Sequence, residues 1–209
     1  MDIRRKKILD RLAEEYPAVE CALNYETSFQ LAVAVILSAQ CTDARVNTVT
    51  PDLFRDHKTA YDFSQIPLVR LEKYVFSTGF YRNKAKNIQA LAKIIDVKYQ
   101  GGIPNDMNIL ITLPGIGRKT ANVLQQEIYH EANGVVVDTH CLRNSYRLGF
   151  GKDTKNAEIQ ERQLMKILPK KKWFYFSHWM ILLGRSYCTA RSPKCHTCIL
   201  RDYCPKKGL

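Results

Sequence analysis

The sequence has no long hydrophobic run. Its longest apolar stretch, Leu31 to Leu37, is far shorter than the roughly 20 residues that cross a bilayer. The basic N-terminus is not followed by the apolar segment of a signal peptide, because charges interrupt Ile8 to Glu15; we predict an amphipathic helix that ends near Tyr16-Pro17. We therefore expect a soluble cytoplasmic protein.

Acidic residues are scarce relative to basic ones. Twenty Asp and Glu stand against 32 Lys and Arg, which gives a formal net charge of +12 and a pI near 9.4. This excess favours a polyanionic partner, although a soluble basic protein without such a partner has the same balance. The length of 209 residues and 45% hydrophobic content suit one large domain or two small ones sharing a core, and argue against disorder.

The sequence also lacks repeats at solenoid spacing, low-complexity linkers and strand patterns. Only Val135 to Val137 looks like a strand, and three residues cannot form a sheet. Apolar residues at helical spacing elsewhere predict an all-α architecture with short connections. A domain boundary would fall most easily in the polar stretch His130 to Gly134.

Several helix ends are predicted from local signals. Thr27-Ser28-Phe29-Gln30 resembles a capping box, and the apolar run after it should pass through the centre of a core. Asp43 is predicted to cap the next helix and Pro51 to break or restart it. Pro67 suits the first position of a helix, and Gly101-Gly102 should stop the helix that begins near Asn83.

A glycine-containing turn lies between two predicted helices, in the stretch Leu113-Pro114-Gly115-Ile116-Gly117-Arg118-Lys119-Thr120-Ala121-Asn122. Gly115 and Gly117 allow a sharp turn and close approach of a ligand to the backbone. The amides at the start of the following helix suit a phosphate group. A plain turn between two helices has a similar pattern, so these residues alone leave both interpretations open.

Two polar residues are candidates for chemistry. Lys119 lies two residues into the helix, where the dipole disfavours its positive charge and partial burial would further favour the free amine needed for nucleophilic attack on a sugar carbon. The alternative for Lys119 is a simple phosphate contact. Asp138, in Val137-Asp138-Thr139-His140, is first a candidate helix N-cap, and a capping carboxylate can also face a cleft. For His140 we expect packing or hydrogen bonding.

Cysteines are concentrated near the C-terminus. Cys188, Cys195, Cys198 and Cys204 follow the spacing Cys-x6-Cys-x2-Cys-x5-Cys, whereas Cys21, Cys41 and Cys141 are scattered and are expected to be small buried hydrophobes. The odd total of seven disfavours a disulfide framework. Four thiolates this close predict zinc or a [4Fe–4S] cluster, and ligand count does not separate the two.

The segment around these cysteines, Gly184 to Leu209, is strongly basic. Asp202 is its one acidic residue, against the bases Arg185, Arg191, Lys194, Arg201, Lys206 and Lys207. A basic surface that is held in place by a bound metal is well suited to binding phosphates.

These motifs, in this order, resemble the endonuclease III family of helix-hairpin-helix, iron–sulfur DNA glycosylases over essentially the whole chain. Leu37-Ser38-Ala39-Gln40-Cys41-Thr42-Asp43 and Gly79-Phe80-Tyr81-Arg82-Asn83-Lys84-Ala85 also look like the family. The resemblance implies a six-helix barrel with the hairpin over residues 21–132. Residues 1–20 and 133–209 would form a helical iron–sulfur cluster domain. DNA would bind in the cleft between these domains, with the damaged base flipped into a pocket.

The resemblance also implies roles for individual residues. Lys119 matches the nucleophile and Asp138 the acid that assists it, while the four clustered cysteines match the ligands of a [4Fe–4S] cluster. Gln40 matches the residue that fills the hole left by the flipped base. Phe80 occupies the position of the wedge that enters the stack, where the family commonly has Leu. Gly115, Gly117, Arg191 and Lys194 are expected to contact DNA phosphates.

The implied activity is that of a bifunctional DNA glycosylase and abasic-site lyase. It would remove oxidised pyrimidines and cleave 3′ to the abasic site by β-elimination through a lysine Schiff base. The expected partner is double-stranded DNA with damaged pyrimidines or abasic sites, bound by a monomer that does not act at a membrane. A first alternative is the related adenine-mismatch glycosylase, which lacks the lysine that Lys119 matches and has a further C-terminal domain. A second alternative is a non-catalytic, zinc-containing DNA-binding protein. A third, an electron-transfer protein, explains neither the hairpin nor the charge.

Overall fold

The computed structural model describes residues 1–209 as a chain of α-helices without a strand. The all-α prediction is therefore confirmed, and Val135 to Val137 lies outside any regular element. The chain divides into two compact units. We call Cys21–Glu131 the hairpin unit, and Met1–Glu20 together with Ala132–Leu209 the cysteine unit. No helix combines the length and apolar character needed to span a membrane.

Helices are numbered along the chain. The cysteine unit begins with α1 (Ile3–Glu15). The hairpin unit contains α2 (Ser28–Ser38), α3 (Asp43–Asp56), α4 (Ala60–Gln65), α5 (Leu68–Val75), α6 (Tyr81–Tyr99), α7 (Met107–Leu110) and α8 (Arg118–Tyr129). The cysteine unit continues with α9 (Thr139–Arg147), α10 (Ala157–Ile167) and α11 (Trp173–Ser186). Short 3-10 turns cover Phe76–Thr78 and Lys170–Lys172.

Helix α2 runs through the core of the hairpin unit, as its apolar sequence predicts. All of Phe29 to Leu37 is buried, and α3, α6 and α8 pack against the helix. The Thr27 hydroxyl caps it by accepting the Gln30 N–H at 3.2 Å. The predicted capping box is only half formed, because the Gln30 side-chain oxygen accepts from the Glu26 N–H at 2.8 Å rather than from Thr27.

The predicted start of α3 is wrong by one residue. Thr42, not Asp43, is the N-cap, and its hydroxyl accepts the Arg45 N–H at 3.2 Å. The Thr42 hydroxyl accepts from the third N–H of the helix, so the cap lies one residue before the predicted position and Asp43 lies in the first turn. A carboxylate there still interacts favourably with the helix dipole.

The prediction for Pro51 is also wrong, because the proline lies inside α3. A proline within a helix costs about 3 kcal/mol or more. The flanking residues Val46, Thr50 and Leu53 are buried, and their packing outweighs that local cost. Pro67 is the N-cap of α5 rather than its first residue.

Helix α6 is the longest in the chain and ends at Tyr99, before the two glycines. Gln100 and Gly101 both take the left-handed conformation, with φ of 52° and 85°. One face is buried in the core, as the helical spacing predicts, through Ala85, Ile88, Leu91, Ala92 and Ile95.

The cysteine unit joins the N-terminal helix to the C-terminal part of the chain. Ile8, Leu9 and Leu12 of α1 are buried in a core with residues of α11. Arg4 and Arg5 tie the start of α1 to the carbonyls of Leu148 and Gly149, each at 2.9 Å. After α11 the chain forms turns only. All seven cysteines are free of disulfide bonds.

Candidate functional site

The turn between α7 and α8 is packed tightly at Gly115. Its φ of 77° is left-handed, and a Cβ added there would lie 3.1 Å from Asn87 Cβ and 3.1 Å from Ile36 Cδ1. Both the backbone conformation and the close approach of α2 and α6 therefore require glycine. Leu113 and Ile116 on either side are buried and fix the turn to the core.

Gly117, in contrast to Gly115, has open space around it. It is the N-cap of α8, no side chain caps this helix, and a Cβ added at Gly117 would meet nothing within 4 Å. The start of α8 is thus accessible to a ligand from outside. Uncapped amides at a helix start, together with the dipole, form an anion-binding position.

Lys119 is the second residue of α8 and its side chain is exposed. The partial burial that the sequence suggested for this lysine is therefore absent, since the buried face of α8 begins further along the helix, at Ala121. The amine is accessible beside the anion-binding position.

Gln40 and Phe80 lie on two short loops with the same unusual backbone. Both have left-handed φ, 54° and 49°, and both side chains are exposed. Phe80 is 65% exposed, which excludes a role as a core residue. Gln40 follows the C-terminal end of α2, and Phe80 is the N-cap of α6.

The hairpin lies beside the helix ends that carry these loops. Ile36, which faces Gly115, is in the last turn of α2, and Asn87 is in the second turn of α6. Packing of the turn against these two helices brings the hairpin close to the loops of Gln40 and Phe80. Four sequence-predicted site residues therefore lie in the hairpin unit, on the turn itself or on loops that adjoin the helices the turn contacts: Gly115, Gly117, Gln40 and Phe80.

Asp138 is the N-cap of α9 in the cysteine unit. Its Oδ1 accepts the Cys141 N–H at 2.7 Å, and the residue is half-buried. The capping role predicted from the sequence is confirmed. Buried Val135 and Val137 anchor the extended segment before it, so the carboxylate is held from both sides.

His140 lies against α11 rather than in the open. A Cβ added at Gly184 would lie 2.3 Å from its Nδ1, and the same nitrogen is 3.1 Å from Arg143 Nη2. Burial lowers the pKa of His140, and the nearby Asp138 carboxylate opposes that shift. These contacts describe a packed, hydrogen-bonded histidine.

The four clustered cysteines line one cavity at the end of the cysteine unit, together with Leu148, Leu183, Tyr187, Pro193, Arg201, Lys206 and Leu209. Nowhere in the chain do three or more metal-binding side chains converge on a position for a single ion. Burial raises the pKa of the Cys198 and Cys204 thiols, and the neighbouring cysteines add to the shift. Arg147 Nη1 lies 3.5 Å from Cys188 Sγ, and the Lys206 N–H donates to Cys204 Sγ at 3.4 Å.

Two of the four sulfurs, those of Cys188 and Cys204, have N–H donors beside them. This environment fits an iron–sulfur cluster, whose sulfurs accept such hydrogen bonds. Sequence reasoning missed the two arginines of α9 that hold this segment. Arg143 Nη2 donates to the Cys188 carbonyl at 3.0 Å, and Arg147 donates to the Thr189 and Ala190 carbonyls at 2.7 and 3.1 Å. Their only signal in the sequence is a spacing of four residues, which places both on one face of α9.

Arg191 and Lys194 are exposed on the loop that these arginines anchor. The loop is closed by a bond from the Thr189 hydroxyl to the Ser192 carbonyl at 2.7 Å and by the Lys194 N–H to the Tyr187 carbonyl at 2.8 Å. Two cations are therefore presented to solvent on an ordered support.

Comparison with known proteins agrees with this arrangement. Residues 33–170 match the HhH-GPD superfamily of base excision DNA repair proteins. Residues 188–204, which span the four clustered cysteines, match the iron–sulfur binding domain of endonuclease III. The class that the fold and the site define is thus a helix-hairpin-helix DNA repair protein with an iron–sulfur domain, and the chain holds a [4Fe–4S] cluster.

Individual relatives narrow the class. Endonuclease III of Synechocystis sp. is 46% identical over 97% of this chain and 92% of its own length. A non-covalent endonuclease III–DNA complex has a TM-score of 0.90 at 43% identity, covering 99% of this chain and 97% of that one. A trapped endonuclease III–DNA covalent intermediate has a TM-score of 0.89 at 43% identity, with the same coverage. The chain belongs to the endonuclease III family, and the predicted barrel-and-cluster fold class is confirmed.

Proposed function

We propose that this chain is a bifunctional DNA glycosylase and abasic-site lyase of base-excision repair. It removes oxidised pyrimidines from double-stranded DNA and cleaves 3′ to the abasic site. The observation that carries the proposal is the exposed Lys119 at the uncapped start of α8, directly after the glycine turn. A nucleophilic amine thus lies next to a backbone position suited to a DNA phosphate.

Lys119 is the nucleophile in this proposal. Its neutral amine attacks C1′ of the damaged nucleotide, the C1′–N bond breaks, and the base leaves. Opening of the sugar ring gives an imine between Lys119 and C1′. The imine acidifies the C2′ protons, so loss of one of them expels the 3′ phosphate and nicks the strand. Hydrolysis of the imine then returns the free amine.

Asp138 assists the glycosidic step. Its carboxylate stabilises the positive charge that develops on the sugar and takes part in proton transfer. The bond from the Cys141 N–H at 2.7 Å fixes the orientation of the carboxyl group, so capping the helix and assisting catalysis are compatible. Fixed charges of this kind need little reorganisation during the reaction.

The remaining predicted residues bind DNA. The amides beside Gly115 and Gly117 hold a phosphate, and Arg191 and Lys194 hold others. Gln40 fills the space left by the flipped base, while Phe80 wedges into the stack. The exposure of Gln40 and Phe80 and their left-handed backbone support this assignment, since side chains that project from the surface can enter a duplex.

The cysteine residues 188, 195, 198 and 204 bind the cluster. A [4Fe–4S] cluster held by these cysteines would cross-link the turns of residues 187–209 and so would shape the loop of Arg191 and Lys194. Residues 21–132 then act as the hairpin domain, and residues 1–20 with 133–209 as the cluster domain.

We further propose that the protein acts as a monomer on chromosomal DNA in the cytoplasm, at the nucleoid if the source is prokaryotic.

Borohydride trapping tests the proposal. Wild-type protein and Lys119→Gln are incubated with thymine-glycol and abasic duplexes under borohydride, and the covalent complex is quantified on a denaturing gel. Lys119→Gln should release no base and form no complex, yet should bind abasic duplex, because the phosphate-holding amides belong to the backbone. Lys98→Gln removes the same charge from an exposed position at the end of α6 and should trap normally. If Lys119→Gln still formed the covalent complex, Lys119 would be a phosphate contact only.

A further inference from the structure

A lysine of the hairpin unit is buried beside the loops that carry Gln40 and Phe80. Lys84, in the first turn of α6, is 5% exposed. Its ammonium donates to the Leu37 carbonyl at 2.8 Å and to the Thr78 carbonyl at 2.7 Å. Burial lowers the pKa of Lys84, and the nearby Cys41 opposes that shift. Buried lysines are rare because desolvation disfavours the charge, so the two carbonyl contacts must offset that cost.

The two carbonyls lie at the base of the loops already described. Leu37 is in the last turn of α2, three residues before Gln40. Thr78 is the last residue of the 3-10 turn, two residues before Phe80. Thr78 is itself buried, and its hydroxyl donates to the Val75 carbonyl at 2.8 Å. One side chain therefore connects the start of both loops to a single point on α6.

Both loops have a backbone that needs such support. Gln40 and Phe80 have φ of 54° and 49°, a region that residues other than glycine rarely occupy. Such conformations persist when the surrounding structure fixes the chain on either side. The bonds from Lys84 fix the chain just before each of these residues.

We propose that Lys84 is a positioning residue that sets the spacing between Gln40 and Phe80, and with it the ability of the enzyme to open duplex DNA around a lesion. The inference rests on the proposed function, in which Gln40 fills the hole in the stack and Phe80 wedges into it. Lys84 acts through these two residues and does not touch the reacting atoms.

The predicted defect is selective. Single-stranded abasic DNA has no stack to open and no orphan base, so its cleavage depends on Lys119 and on phosphate binding but not on the two loops. Lys84→Met has a similar length and removes all donors, which leaves the Leu37 and Thr78 carbonyls without the ammonium. The loops should then shift relative to one another while the core still packs.

Single-turnover cleavage of abasic duplex and abasic single strand by the cluster-containing protein measures this effect. Rates are normalised to the active fraction, titrated by borohydride trapping on the single strand. Lys84→Met should cut duplex more slowly by roughly 10- to 100-fold, as expected for misplaced positioning groups, with the single-strand rate within about twofold. Equal rates on duplex for Lys84→Met and wild type would overturn the proposal, as would equal losses on both substrates.

A matched control lies on the same helix. Gln89 Nε2 donates to the Ile66 carbonyl at 2.7 Å, a similar tie between α6 and a neighbouring loop that is remote in sequence from both Gln40 and Phe80. Gln89→Leu should leave the ratio of the two rates unchanged. If Lys84→Met does not fold, as judged by circular dichroism, Lys84→Gln replaces it. That variant retains donors with a shorter reach and should show a smaller but still selective loss, and an unchanged ratio would overturn the proposal.

The variant Gln40→Ala/Phe80→Ala separates this inference from the function on which it rests. If the double variant shows no selective loss of duplex cleavage, the assigned roles of Gln40 and Phe80 fail. If the double variant shows this loss and Lys84→Met does not, only the inference about Lys84 fails. Adding Lys84→Met to the double variant should slow duplex cleavage little further, because the effects of groups acting through the same contacts are not additive. A full additional loss would contradict action through Gln40 and Phe80.

Discussion

The hairpin unit and the C-terminal end of the cysteine unit hold their candidate functional residues by different means. In the hairpin unit, nine consecutive buried residues of α2 lie against three other helices, and the turn of Gly115 packs onto α2 and α6. Residues 187–209 have no helix, and Leu200 is the only buried residue among them. Arginines from α9 and four cysteines organise that segment instead. The first is supported by apolar packing, whereas the second is held by arginine hydrogen bonds and, we propose, by a cluster bound to the four cysteines.

Loss of one cluster ligand should give the largest effect. Cys195→Ser should contain little iron, lack the broad absorption near ~400 nm expected for iron–thiolate sites, and yield little soluble protein. Where protein is recovered, limited proteolysis should cut residues 187–209 first and leave the hairpin unit resistant. Cys41→Ser, which changes a thiol outside this segment, should keep full iron content. Stoichiometric zinc without iron in anaerobically prepared wild type would refute the cluster dependence.

Removal of the Asp138 charge should have the next largest effect, and it separates catalysis from folding in the cysteine unit. Asn is as good an N-cap as Asp, so Asp138→Asn should unfold at nearly the native temperature. Base excision should fall by a factor on the order of a hundred or more, because one electrostatic or acid–base contributor is lost. Trapping on a preformed abasic site should suffer less, since no glycosidic bond remains to break. A fully active variant that unfolds several degrees lower would reduce Asp138 to a helix cap.

Changes to the basic loop should have moderate effects. Affinity for abasic duplex should fall with salt with a log–log slope of roughly −4 to −6, as expected for about five to seven neutralised phosphates. Arg191→Ala and Lys194→Ala should each make that slope shallower by about 1 without changing which lesion is preferred. Titrations by fluorescence anisotropy at several salt concentrations measure this, with Lys98→Ala as the charge-matched control. A slope near zero for the wild type would mean that the charge serves something other than DNA.

A backbone change in the hairpin unit should have the smallest effect. Gln100 ends α6 in the left-handed conformation, is exposed and takes no part in the proposed site. Gln100→Gly should raise the free energy of unfolding by about 0.5 kcal/mol, because relief of the left-handed penalty exceeds the greater freedom of glycine in the unfolded chain. Denaturant titration measures the change, and Gln100→Ala should not share it. A loss of stability on Gln100→Gly would indicate that its side chain makes stabilising contacts.

Much of the hairpin unit could be predicted because its signals are local. The buried run of α2, the spaced apolar face of α6 and the two glycines of the turn each follow from helix period or backbone freedom. The position of Pro51 within α3 does not follow from local signals, because burial of its neighbours outweighs a local penalty and burial is a property of the whole core. The Thr42 hydroxyl and the Asp43 carboxylate are both good caps, and the sequence could not rank them.

The cysteine unit was predictable in chemistry more than in structure. The spacing of four cysteines indicates a metal site without reference to any fold. The arginines that orient the segment, Arg143 and Arg147, are more than 40 residues away along the chain from the backbone they hold. Contacts of that range leave no local pattern. The exposure of Lys119 was likewise not readable, since it depends on which face of α8 the core covers.

Locating the covalent adduct on the wild-type protein tests the account of Lys119 without any substitution. The borohydride-reduced complex with abasic duplex is digested with nuclease and protease, and the modified peptide is sequenced by mass spectrometry. The account predicts that the remaining sugar fragment is attached to Lys119 and that trypsin no longer cleaves after that residue. An adduct on another lysine or on the N-terminal amine, with Lys119 unmodified, would contradict it.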